Sequence, residues 1–261
     1  MNSEAEWDGA LLKSLHPGWA ERIIFFEECQ STNDEAKRMA QSGLKPGSVI
    51  LAERQTEGRG RRGQRWACPP GESIACSVLL RPSDPVALWS RLSLAAGLAV
   101  AEGLDRFGVS AEVKWPNDVW VREQKICGIL VESVADFVVI GIGVNVNTTT
   151  FPEGLAHPAT SLALETGEKA SREEVLIAFL DRLELRVGQI ASGFSELLEA
   201  WNERCVLRGR RVSLETGGSL VEGRMEGLSP SGELLLRTSA GLEKILHADH
   251  IRLAGTTLTN R

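Results

Sequence analysis

Between residues 111 and 146 four apolar, β-prone segments follow one another with connections too short for a helical crossover. The segments are 111–115, 119–121, 125–132 and 137–146, parted by Pro116-Asn117-Asp118, by Arg122-Glu123-Gln124 and by a short acidic turn. Parallel neighbours need a crossover of a dozen or more residues, so these strands are expected to pair antiparallel. Two further strand-like stretches, 48–53 and 73–80, precede them. A chain with this run of strands, and with helices placed before and after it, falls in the α+β class.

The helices are read from caps and periodicity. Residues 31–42 open on overlapping capping-box patterns, Ser31 with Asp34 and Thr32 with Glu35, and stop at Gly43. Asp84 and Pro85 read as the N-cap and first residue of a long helix with apolar positions 88, 92, 95, 96, 99, 100, 104 and 107, ended by Gly108. Two more helices are expected over 171–190, with a Ser171/Glu174 capping box, and over 194–205. After 205 the pattern changes to short strands at 211–214, 221–226, 234–237 and 242–247 around Gly turns, the spacing of a small β-barrel. Two domains are therefore expected, 1–205 and 206–261.

With 261 residues, 43% of them hydrophobic, the chain can bury one sizeable core and a small second one. The net charge of −6 argues against a general binder of nucleic acid or anionic membrane. No apolar run approaches the roughly 18 residues that span a bilayer. The first thirty residues carry Glu4, Glu6, Asp8, Glu21, Glu27 and Glu28 instead of a basic start and an apolar core, so a cytoplasmic protein is expected. Five cysteines without C-x-x-C spacing and four scattered histidines suggest no zinc site and no His-based triad.

Three clusters carry candidate chemistry. Gly58-Arg59-Gly60-Arg61-Arg62-Gly63 lies in a stretch, 54–66, with five arginines and one acid, Glu57. Glycines let backbone N–H groups turn toward a ligand and guanidinium groups offer forks of donors, so an anion is expected there. A solvated basic loop or an RNA contact has the same composition, while the P-loop spacing is absent. In Lys114-Trp115-Pro116-Asn117-Asp118, followed by Lys125 and Gly128, Pro-Asn-Asp is a good turn in its own right. Lys125 in an apolar strand is harder to dismiss, because a buried ammonium needs an anion. Gly141 and Gly143 interrupt a strand before Asn145, which points to close approach of a ligand or of another element. Ser31, Thr32 and Asn33 are explained by a helix N-terminus, and equally by a polar ligand head.

Taken in order, Ser31-Thr32-Asn33, Gln55 with the Gly/Arg run and Trp66, Lys114 to Asp118, Lys125-x-x-Gly128-Ile-Leu and Gly141-x-Gly143-x-Asn145 resemble the biotin protein ligase family. The motifs span residues 23–147, and the later layout extends the likeness over most of the chain. The resemblance implies a catalytic domain of the class II aminoacyl-tRNA synthetase and biotin synthetase type, a mixed, largely antiparallel sheet with helices, followed by an SH3-like barrel. Some members carry an N-terminal winged helix that binds operator DNA. About twenty residues precede the catalytic domain here, so that DNA-binding domain and transcriptional repression are not expected.

Carried over by position, Ser31, Thr32, Asn33 and Gln55 would hold the biotin ring system, with Gly58, Arg59 and Gly128 shaping the pocket. Arg61 would meet the forming acyl phosphate and Lys125 would bridge the biotin carboxylate and the α-phosphate. Arg62, Trp66, Asn117 and Asn145 would face the nucleotide, and Asp118 would serve as acceptor or as a ligand to Mg²⁺. Gln64 stands where some relatives have a basic residue, so no phosphate role is expected of it. The implied reaction makes biotinyl-AMP from biotin and ATP, then transfers biotin to a carrier lysine, with the Gly/Arg loop shielding the anhydride. The implied partner is the biotin carboxyl carrier domain of acetyl-CoA carboxylase or another biotin-dependent carboxylase, with a homodimer left open. Competing readings are a lipoate or octanoate ligase or transferase of the same fold, and an RNA-binding module built on the Gly/Arg loop.

Overall fold

The computed structural model describes residues 7–254 except 84, 86, 87 and 249. Two short helices, α1 (Gly9–Leu15) and α2 (Pro17–Ala20), lead into strand β1 (Ile23–Cys29), helix α3 (Thr32–Gln41) and strand β2 (Val49–Gln55). The Gly/Arg loop then crosses to β3 (Ser73–Leu80), helix α4 (Ser90–Asp105) and the meander β4 (Glu112–Lys114), β5 (Asp118–Val121), β6 (Gln124–Val134) and β7 (Phe137–Asn145). Helices α5 (Leu162–Thr166), α6 (Arg172–Ala191) and α7 (Ser195–Glu203) follow. The chain closes with β8 (Arg211–Thr216), β9 (Ser219–Leu228), β10 (Leu234–Thr238), β11 (Gly241–Ile245) and β12 (His250–Leu253).

The first seven strands form one sheet in the order β1-β2-β3-β7-β6-β5-β4, and the last five a second in the order β11-β10-β9-β8-β12. Every pairing in the meander is antiparallel, as the short connections require. The β1–β2 pair is parallel, with α3 as its crossover.

Side-chain alternation divides the large sheet into two unequal faces. Leu51, Cys76, Val78, Ile129, Ile140 and Ile142 join the main core with Leu98 of α4 and Phe179 of α6. Gly103 lets those two helices touch, since a Cβ there would lie 2.9 Å from the Cβ of Phe179. On the opposite face a small cluster of Ile50, Leu79 and Val139 packs under Ala36 and Ala40 of α3. Next to it, in register, come Ser77, Gly141 and Leu130, then Ala75, Gly143 and Gly128. Strand residues two apart share a face, so these small residues leave a trough in the sheet beyond the end of α3.

Two expectations at helix starts need correction. Ser31 is the N-cap of α3 but makes no side-chain capping bond; the N–H of Thr32 donates instead to Gln55 Oε1 at 2.8 Å. Regular α4 begins at Ser90, not at Pro85, and the Asp84 cap lies outside the described residues. The Ser171 cap of α6 is present and accepts from the Glu174 N–H.

Candidate active site

The trough is roofed by the Gly/Arg loop. Its first leg continues the β1–β2 pairing, with Thr56 N–H donating to Cys29 O at 3.0 Å and Glu57 N–H to Gln30 O at 2.8 Å. It then folds into a ribbon closed by Gly60 N–H to Gln64 O at 2.6 Å and Trp66 N–H to Gly58 O at 2.9 Å. Arg62 turns the tip at φ 61°. Gly58 is required by this return, because a Cβ there would lie 2.5 Å from the Trp66 carbonyl oxygen.

Trp66 brings the two glycine motifs together. Its indole lies over β6 and β7, where a Cβ on Gly143 would collide with the ring and one on Gly128 would lie 3.2 Å from it. A Cβ on Gly141 would likewise strike the Asn33 amide. The glycines at 128, 141 and 143 are thus the floor on which Trp66 and Asn33 rest. The indole N–H of Trp66 is buried without a partner, an orphaned donor lying against Gly143.

One end of the trough is polar and closely hydrogen-bonded. Gln55 Oε1 accepts from both the N–H and, at 3.1 Å, the hydroxyl of Thr32. The Ser77 hydroxyl reaches Asn33 Oδ1 at 2.6 Å and Thr32 Oγ1 at 2.8 Å. Ser31, Thr32 and Asn33 are all buried. The other end is charged. Lys125 Nζ is 2.7 Å from Asp118 Oδ1, and Gly128 stands opposite Asp118 in the β5–β6 register. Arg61 lies 3.3 Å from Asn117 Oδ1, and the Asn117 amide donates to Ile129 O at 2.7 Å. Burial, then the neighbouring Arg62, pulls the Arg61 pKa down. Among the described residues Arg61 forms no direct ion pair, the Asp118 carboxylate acting on it only from a distance, so a partly buried guanidinium faces the cleft.

Of the residues singled out in the sequence, Ser31, Thr32, Asn33, Gln55, Arg59, Arg61, Arg62, Trp66, Asn117, Asp118, Lys125 and Gly128 line one cleft. Gly58 and Asn145 do not. Gly58 sits behind Gln55 and Trp66, and the buried Asn145 amide donates to Thr160 O at 3.0 Å, tying β7 to the 156–160 segment. That segment is also held by Lys125, whose N–H and C=O pair with Pro158 and Thr160.

Sequence reasoning missed Ser77, which looks like any strand serine, and His157, which belongs to no motif. His157 packs edge-on against Trp120 at 5.3 Å, and burial, then Lys114, lowers its pKa to about 4. Lys114 lies over the same indole at 3.9 Å. It is 5% exposed, and burial lowers its pKa to about 8. The cysteines at 29, 68, 76, 127 and 205 are free and buried.

Comparison with known proteins gives the family. Residues 25–147 match the biotin/lipoate A/B protein ligase family and residues 208–249 the biotin protein ligase C-terminal domain. A biotin–[acetyl-CoA-carboxylase] ligase of Mycobacterium tuberculosis is 37% identical over 84% of this chain and 84% of its own. The bifunctional ligase/repressor BirA of Bacillus subtilis is 33% identical over 88% of this chain and 73% of its own. The structure of the Aquifex aeolicus biotin protein ligase in complex with biotin and ATP superposes with a TM-score of 0.81 at 32% identity, covering 90% of this chain and 100% of that one. The chain is a member of the biotin/lipoate protein ligases. Within that class it belongs to the biotin protein ligase family.

Proposed function

We propose that the cleft forms biotinyl-AMP from biotin and ATP and passes the biotin to a lysine of a carrier protein. The observation that carries this reading is the unpaired Arg61 at the charged end of a trough whose other end is a ring of hydrogen-bonding groups. A ligand with a neutral polar head and an anionic tail fits such a trough. Ser31, Thr32, Asn33 and Gln55 take the ureido ring, with Arg59 and Gly128 bounding it and Gly58 setting the loop path. Arg61 and Lys125 take the carboxylate and the α-phosphate, while Arg62, Trp66 and Asn117 face the nucleotide and Asn145 holds the strand beneath it.

In the first step a biotin carboxylate oxygen bonds to the α-phosphorus and the bond to the pyrophosphate oxygen breaks. Two anions must meet, so the cations of Arg61 and Lys125 offset the repulsion and follow the charge as it moves to the bridging oxygens. In the second step the carrier lysine nitrogen bonds to the acyl carbon and AMP leaves. The ammonium must first lose a proton, for which Asp118 is our acceptor, released from Lys125 as that side chain turns to phosphate. No protein nucleophile is needed, since the mixed anhydride is already activated.

The donor set also fits Mg²⁺ carried in on the nucleotide, because this ion takes one or two carboxylates together with phosphate oxygens and water. Asp118 offers one carboxylate beside the Asn117 amide, and among the described residues no larger cage of acids, histidines or cysteines is present. When bound there, the ion would supply further charge neutralisation on the phosphates.

The biotin carboxyl carrier domain of acetyl-CoA carboxylase, or of another biotin-dependent carboxylase, is the partner in this reading, and the enzyme acts in the cytoplasm. Among the described residues no helix is long and apolar enough to cross a membrane. The catalytic domain is assigned to 1–205, of class II synthetase type, and the C-terminal domain to 206–261, an SH3-like barrel. Support for that boundary comes from the second sheet, which starts at Arg211. Lys125→Ala tests the assignment: it should abolish biotin-dependent pyrophosphate exchange with the fold intact, and an active, folded variant would remove Lys125 from the chemistry.

A further inference from the structure

At the rim where the Gly/Arg loop meets α3, four charged side chains and one amide form a closed network. Asp34 takes Arg59 on both oxygens, Nη1 to Oδ2 at 2.5 Å and Nη2 to Oδ1 at 2.5 Å. Lys37, one turn along α3, is 2.9 Å from Asp34 Oδ1 and 3.2 Å from Glu132 Oε1. Glu132 Oε2 accepts from Asn33 Nδ2 at 2.7 Å and lies 3.4 Å from Arg59 Nη2. Two cations balance two anions, and the network joins the loop, α3 and β6. Neither carboxylate lines the cleft.

Resting on the proposed function, we infer that Asp34 and Glu132 are positioning residues for biotin, acting through Arg59 and Asn33. Arg59 stands between Gly58 and Gly60, so the segment it belongs to has little stiffness of its own. Its bidentate pair with Asp34 anchors the first half of the loop over the trough before any ligand arrives. An ordered loop spares biotin the entropy of closing it, and the gain appears in affinity rather than in the chemical step. Glu132 acts at the other end of the network. A carboxylate can only accept, so it turns the Asn33 NH₂ toward itself and leaves Oδ1 to the Ser77 hydroxyl. The Leu130 carbonyl takes a second, longer bond from the same Nδ2 at 3.3 Å, so Glu132 adds to a preference that the strand backbone already sets.

The network is shaped for geometry more than for stability. The Arg59 and Asp34 side chains are 32% and 41% exposed, where solvent screens an ion pair and its net contribution to folding is small. The Asp34 pKa is lowered to about 2, by the hydrogen bond from Arg59 first.

The test is the biotin dependence of ATP–pyrophosphate exchange in Asp34→Asn and Glu132→Gln, with Glu35→Gln as the control. Glu35 pairs with Arg38 one turn along the same helix and does not line the cleft. The expected result is a KM for biotin raised about three- to tenfold in both variants. Their kcat and KM for ATP should stay within about twofold of wild type, the control should be unchanged, and Asp34→Glu should recover part of the loss. Wild-type KM for biotin in both variants would overturn the inference, as would a loss carried in kcat. If Asp34→Asn does not fold, the same criterion is read on Glu132→Gln. Absence of biotin-dependent exchange in the wild type would instead remove the function on which the inference stands.

Discussion

Gly143→Ala should damage nucleotide binding through a residue that bears no reactive group. The added methyl would enter the Trp66 indole, within 2.6 Å of its Cζ2, so either strand β7 or the ring must move. The strand is held by ladders on both sides, to β3 and to β6, whereas Trp66 sits on a loop and is only partly buried. The ring should therefore give way. Inserting a methyl into a packed site costs about 1–3 kcal/mol, and with a ring free to swing out the stability loss should fall near the lower limit. What is lost instead is the aromatic face, worth about 1–3 kcal/mol per stacked base, or roughly a five- to 150-fold rise in KM for ATP. ATP-dependence of pyrophosphate exchange at saturating biotin, run beside urea unfolding, separates the two effects. Trp66→Ala should make the methyl nearly silent, so the double variant should be no worse than Trp66→Ala alone. An unchanged KM for ATP, or strictly additive losses in the double variant, would refute the argument.

Two further predictions concern buried charge. Glu53 and Arg172 form a bidentate pair at 3.0 and 2.9 Å, with side chains only 8% and 4% exposed, and Glu53 also accepts from the Gly71 N–H at 2.6 Å. Glu53→Ala removes the carboxylate from a buried guanidinium that keeps the Ser73 carbonyl and the Trp7 ring, and should cost about 3–5 kcal/mol by urea unfolding; a loss under about 1 kcal/mol would contradict the geometry. Lys114 has its pKa lowered by burial from 10.5 to about 8. Unfolded chains therefore hold the proton more tightly between those values, and the folded state gains stability as pH rises through that window. Wild type should gain about 1–3 kcal/mol on Lys114→Met between pH 8 and 10, read from urea midpoints, and a pH-independent difference would count against it.

How much of this was legible in the sequence depended on the range of the interaction. Strand β3 and the meander stand out because alternation and turn residues are local, and β3 occupies the expected residues 73–80. Strand β1, helices α1, α2 and α5 and strand β12 carry no comparable local signature and were not anticipated. The parallel β1–β2 pair depends on α3 packing back across the sheet. The start of α4 shows the limit of cap rules, since an Asp-Pro pair permits a helix start without requiring one.

Within the site, the glycines at 128, 141 and 143 signalled close approach, but not that Trp66 and Asn33 were the approaching groups. Arg59 is marked as a pocket residue by its motif, yet Asp34, which holds it, reads only as a capping-box partner of Ser31, and Glu132 only as the end of a strand. Ion pairs across 25 and 73 residues leave no periodic trace. Ser77 was invisible for the same reason, being one small residue on the less apolar face of a strand.

The most direct test of the central claim is ATP–pyrophosphate exchange on the purified chain with Mg²⁺, run in parallel with biotin, lipoate and octanoate. Exchange that depends on biotin, and is absent with the other two acids, is the predicted result. Exchange with lipoate or octanoate and none with biotin would contradict the assignment of Ser31, Thr32, Asn33 and Gln55 to a ureido ring, and exchange with none of the three would contradict adenylation by this cleft.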